Sequence, residues 1–165
     1  MNIFFLDKNP ELIAQYSIDS HVVKIPVEIA QMMTMAKILS EDSERKIGHM
    51  NHPMSLWVRY STQNYNLAGE IGLELCKEYT RRYGKVCASE GKIKLLLSNP
   101  IRTNQCIATV PPLCMPENYQ SDDVVESYRR YYIHDKVFRK DGKIMAKWKC
   151  CSRPSWFTDI YGVLS

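Results

Sequence analysis

No stretch of this chain approaches the ~18 consecutive apolar residues that a membrane-spanning helix needs. Its opening, Met1 to Asp7, is too short and turns acidic too soon for a secretion leader. There is no Gly-rich phosphate loop, no GxSxG, no HExxH, no CxxC and no paired Cys/His zinc pattern. Nucleotide-fuelled and metalloprotease chemistry therefore have no support, and neither a metal nor a cofactor is expected. Six cysteines without a leader suggest reduced thiols and a cytoplasmic setting. Cys150 and Cys151 are adjacent, a poor geometry for chelating one ion. Neither an internal repeat nor a low-complexity tract is present.

What remains is an ordinary globular composition, 45% hydrophobic and 24% charged over 165 residues, enough for one domain with a real core. The expected fold is mainly α, a single-domain helical bundle of about five helices spanning 1–165. Asn2 to Leu6 reads as a short extended segment. Asp7 or Asn9 can cap a helix with Pro10 in its first turn, running to about Tyr16. A second helix covers about Ser20 to Leu39, with Pro26 near its start. A third, long one is capped by Asn51, carries Trp57, Ser61, Tyr65, Ala68, Leu75 and Tyr79 at helical spacing, and stops at Gly84. A fourth runs from Ser89 to Asn99. Pro100 to Pro116 reads as an irregular, Pro-rich surface loop. Asp122 caps a fifth helix reaching about Lys140, and a turn at Asp141 and Gly142 leads into a basic, aromatic tail with room for one short strand at most.

Charge is distributed unevenly. Between Arg129 and Arg153 stand nine Lys or Arg residues against Asp135 and Asp141, while the whole chain is only +4, so the remainder is net acidic. Aromatic residues thread the same stretch. Cations meet phosphates and flat rings stack on bases, so the segment 129–165 is a candidate nucleic-acid surface. Its contact residues are Arg129, Arg130, Lys143, Lys147, Lys149, Arg153, Trp156, Phe157 and Tyr161. The plainer alternative is a solvated basic face with some core aromatics.

Among four histidines, His49 and His52 are three apart, and His52, beside Pro53 at a helix start, suits capping better than metal binding. His134 lies on the basic helix. His21 and Glu28 are seven apart, nearly two helical turns, so they project from one face together with Lys24. A carboxylate beside cations in a cleft can stabilise positive charge on a sugar or activate a nucleophile. An exposed Lys24–Glu28 pair can equally be a helix-stabilising contact of about 0.3–0.5 kcal/mol and nothing more.

The chain ends Arg153-Pro154-Ser155-Trp156-Phe157, then Tyr161-Gly162. This resembles the C-terminus of the pyrimidine-dimer DNA glycosylases of the endonuclease V type, and His21 with Glu28 repeats the family's spacing between a first-helix His and its catalytic Glu. Asp19-Ser20-His21-Val22-Val23-Lys24, Asn51-His52-Pro53 and Arg82-Tyr83-Gly84-Lys85 are also similar to segments of uncharacterised small phage proteins, which implies the cytoplasm of a host cell. The glycosylase resemblance implies a small basic helical enzyme that binds double-stranded DNA, turns out a damaged or modified base and cleaves its N-glycosidic bond. Glu28 would be the catalytic acid, with His21 and Lys24 beside it. It also implies an N-terminal segment threaded between helices, bringing the terminal amine to the Glu. Asn2 is larger than the small residue that the family exposes after Met removal, so the resemblance reaches base release further than strand nicking.

Two other classes fit the residues. One is a non-catalytic factor that binds nucleic acid or a host protein through the tail alone. The other is an enzyme of free nucleotides or nucleotide-derived signals, with a closed pocket near Trp57, Tyr65 and Tyr79, residues that also suit a core.

Overall fold

The computed structural model describes residues 1–42, 44–138 and 141–161, and side chains to residue 158. It is mainly helical, and among the described residues there is no strand, only an isolated antiparallel bridge between Phe138 and Ile144. Seven helices follow in order: α1 Pro10–Tyr16, α2 Asp19–Glu41, α3 Pro53–Tyr60, α4 Thr62–Tyr83, α5 Glu90–Ser98, α6 Val124–Tyr132 and α7 Ser155–Tyr161. One continuous core takes buried residues from Ile3 through to Phe157.

The two helices beyond the expected five have local causes. The long third helix is broken at Ser61, whose backbone is extended (φ −139°, ψ 157°) and whose Oγ accepts from Asn64 N–H at 3.1 Å. Ser61 is a cap, and its place in the apolar periodicity disguised it. The tail adds α7, which begins just after Pro154. At the fifth position, α6 ends as an α-helix at Tyr132 and continues as a π turn over Ile133–Val137; residues 139–140 lie outside the described residues.

Caps follow residue chemistry elsewhere. Asn9 accepts from Glu11 N–H at 2.9 Å, and Asp123, one residue beyond the expected Asp122, accepts from Glu126 N–H at 2.8 Å. His52, not Asn51, caps α3. Gly84 ends α4 in the left-handed conformation (φ 66°) that glycine adopts without strain. Pro26 lies inside α2, where it cannot donate to the Val22 carbonyl.

α4 lies at the centre, against α1, α2, α3 and α5. Its closest approaches are at Gly69, where a Cβ would come within 2.5 Å of Leu97 Cδ2, and at Gly72, where one would come within 2.9 Å of Ile93 Cδ1 and 3.0 Å of Ile29 Cγ2. The N-terminal segment is buried from Ile3 to Leu6. The Pro-rich loop is tied down over α3 and α4: Trp57 Nε1 donates to Thr109 O (3.0 Å), and Asn64 exchanges two hydrogen bonds with Thr109. Trp57 and Tyr65 are core residues, 5% and 0% exposed.

A candidate acid site at the buried N-terminal segment

α2 has no side-chain N-cap at Ile18, so tertiary partners satisfy its first amides. Ile18 N–H donates to the Tyr132 hydroxyl (2.9 Å) and Asp19 N–H to Lys147 O (2.8 Å). Asp19 then accepts from Lys149 N–H (2.9 Å) and from Arg82 (2.8 Å). Arg82 is buried and also bonds Glu78 (2.6 Å) and Gln15 O (3.1 Å). Burial pushes the Glu78 carboxyl up, but the hydrogen bonds from Arg81 and Arg82 outweigh it and hold it below its usual range. The basic segment is thus held to the start of α2, about 13–14 Å along the helix from Glu28 by the axial rise.

Glu28 is 9% exposed, and both its oxygens are engaged. Oε1 faces Lys24 Nζ at 3.1 Å, and Oε2 accepts the backbone N–H of Asn2 at 3.0 Å. Asn2 is pinned in turn, its Nδ2 donating to Cys114 O at 3.2 Å. The apolar run Ile3 to Leu6 drives this threading, since its burial leaves Asn2 no other place.

Two imidazoles flank the acid. His21 stacks on Phe4 (4.6 Å, 13°) and its Nδ1 lies 2.9 Å from the Tyr132 hydroxyl. Burial, then the charges of Lys136 and Lys24, lower its pKa to about 4 against the pull of Glu28. His52 accepts from Met54 N–H through Nδ1 (3.2 Å), which leaves the neutral ring's proton on Nε2. Its pKa is also lowered, by burial and then by the N-terminal amine and His49, with Glu28 opposing. Both rings are neutral near pH 7, so neither carries charge to a phosphate there.

His21 binds its proton more weakly folded (about 4) than at its usual 6.5. Its stabilising contribution is therefore complete above pH 6.5 and is lost as pH falls from there toward 4. The thermal midpoint is expected to fall through that window. His52 adds to the same limb, so His21→Phe should shrink it without erasing it; an unshrunk limb in melts across pH would rule out the buried neutral ring.

A cavity of about 410 Å³ opens beside the acid. Met1, one residue from Asn2, lines it with Gln31, one turn beyond Glu28, and with Met35, His49 and Lys92. His49 turns the loop over it with a left-handed backbone (φ 62°), a conformation uncommon outside glycine. A larger cavity of about 560 Å³ is lined by Asp7, Asp123 and Glu126 against Lys8, Arg129 and Arg130, with Trp156; neither cavity is lined by Glu28, His21 or Lys24 themselves. Volume does not decide between them. The smaller one is lined by Met1 and Gln31, chain neighbours of Asn2 and Glu28, and the larger has balanced charge.

The predicted nucleic-acid contacts divide. Phe157 has no exposed surface and packs 5.5 Å from Trp148, so its burial removes it from any contact surface in this fold. Arg129 is committed to Asp7 (3.0 Å) and Leu6 O (2.8 Å), and lies 5.3 Å over the half-buried Trp156 ring. Arg130 pairs with Glu126 on α6. Arg153 lies 6.0 Å over the Phe157 ring. Lys143, Lys147 and Lys149 are exposed, the last 5.1 Å over Tyr83. The Tyr161 side chain lies outside the described residues. Asn2, Phe4, Tyr131 and Lys136 cluster about His21 and Glu28 without a spacing signal, because separate elements supply them; the density of rings and cations was the only trace.

The chain matches no family model, no curated protein and no solved structure.

Proposed function

We propose that this protein is a DNA N-glycosylase that accepts a turned-out damaged or modified base and releases it with the Glu28 carboxylate as general base at the sugar. The observation that carries this reading is the engagement of the Glu28 carboxylate by Asn2 N–H at 3.0 Å and Lys24 at 3.1 Å, with a cavity lined by the neighbouring Met1 and Gln31. Two fixed donors aim the carboxylate, and a positioned group of this kind contributes about 10²–10⁴-fold to a proton-transfer step. Water attacks C1′ of the sugar, its proton passes to Glu28, and the C1′–N bond breaks with its electron pair leaving on the base, which takes a proton from solvent. The carboxylate also stabilises the oxocarbenium-like charge on the sugar. A damaged nucleotide is cheaper to extrude than a paired one, which biases the site toward lesions.

With Met1 in place the Asn2 nitrogen is a peptide amide, a donor and not a nucleophile. Base release without strand nicking follows. Duplexes that each carry one damaged or modified base are expected to yield alkali-labile sites, with strands staying intact until alkali is added. Release from no member of a broad panel overturns the reading, and nicking before alkali overturns the amide role of Asn2.

A further inference from the structure

The sequence concentrates cations in the tail, yet the cation from outside α2 that acts on His21 is Lys136. The reason is the π turn Ile133–Val137. In a continued α-helix Lys136 would stand one turn above Tyr132, on its buried side. The wider turn, bonded five residues on, puts Val137 there instead, and Val137 is 0% exposed while Lys136 is freed to the surface. Its Nζ rests 4.8 Å over the Tyr131 ring. Tyr131 stacks toward Phe4 (6.1 Å, 25°), which stacks on His21. On its other side Tyr119 lies 5.5 Å away and pairs with the exposed ring of His134 (5.8 Å, 17°). A continuous run of rings therefore leads from the edge of the acid site to solvent, with Lys24 and Lys136 both near enough to His21 to act on its charge. Asp135 is the acid facing this strip, and it accepts the Tyr119 hydroxyl at 3.1 Å.

We propose that this strip, and not the basic tail, is the nucleic-acid contact that serves Glu28: Lys24 and Lys136 take phosphates on either side of His21, and Tyr131 with the Tyr119–His134 pair takes an unstacked base of the bound strand. Rings spaced along a cationic track suit unpaired nucleotides, since every base has a face to stack. The proposal rests on the glycosylase reading for its choice of DNA, and it names the surface which that reading needs.

The test uses full-length Glu28→Gln protein and a labelled DNA duplex with one central tetrahydrofuran residue, which leaves neighbouring bases unstacked and has no base to release. Binding is measured by anisotropy over a salt series. Lys136→Gln is expected to lower the slope of log affinity against log salt by about one. Tyr131→Leu is expected to weaken binding about tenfold. His134→Ala, at an exposed position, gives a smaller loss in the same direction without touching the core. The double change Lys143→Gln, Lys147→Gln in the tail is expected to leave the abasic-site affinity within about twofold. Full affinity in all three strip variants, a larger loss from the tail change, tighter binding of an RNA strand, or no binding by the parent overturns the proposal. If the parent binds through the strip while wild-type protein releases no base, the glycosylase reading alone falls. If wild type releases base and the strip variants bind normally, the strip alone falls.

Discussion

Glu28→Gln is expected to slow base release by about 10³-fold or more while leaving affinity for an abasic duplex within a fewfold. The amide keeps an acceptor for Asn2 N–H and nearly the same volume, so the N-terminal segment stays threaded. What goes is the group that takes a proton from water and offsets charge on the sugar. The lost Lys24 pair has one partner mostly in solvent, 70% exposed, so its removal costs little stability. Single-turnover release with protein in excess separates chemistry from binding. A Glu28→Gln variant with the parental rate would take the acid out of the mechanism, whatever its affinity.

The second large effect is structural. Arg82→Met is expected to cost about 3–5 kcal/mol, because it removes the buried cation that joins Glu78, Asp19 and Gln15 O, leaves Glu78 with Arg81 alone and withdraws one of the two donors to Asp19. Against a total stability of about 5–15 kcal/mol this threatens the fold. The loss should exceed that of Lys77→Met by several-fold, since the Lys77–Glu74 pair is a solvent-facing contact. Urea unfolding reads both. Adding Glu78→Gln to Arg82→Met is expected to recover part of the loss, because the buried carboxylate then keeps only the half-exposed Arg81 to offset its charge. A cost below about 1 kcal/mol for Arg82→Met, or no recovery in the double variant, would show that the network does not hold α1, α2 and α4 together.

Much of the helical layout was legible because it is local. Asn9, Pro10, Pro53 and Gly84 act on their own turns, and each does what its chemistry dictates. Ser61 was not, since a serine at an apolar helical spacing reads equally as helix interior or cap. The start of α2 offered no capping side chain because Lys147 O and Tyr132 Oη, both more than a hundred residues away, do the capping. The π turn has no local signature either; it exists because Val137 is buried.

The sequence by itself determined most of the helices, the face of α2 that carries His21, Lys24 and Glu28, and the excess of cations and rings near the end of the chain. Those follow from propensity, helical period and composition, all short-range. Only the tertiary structure decided that Asn2 would reach Glu28, that Phe157 and Arg129 would be consumed by the core and by an ion pair, and that Lys136 would be the cation turned toward the acid site. Each depends on which long-range burial wins, and burial is settled by how all the helices pack at once.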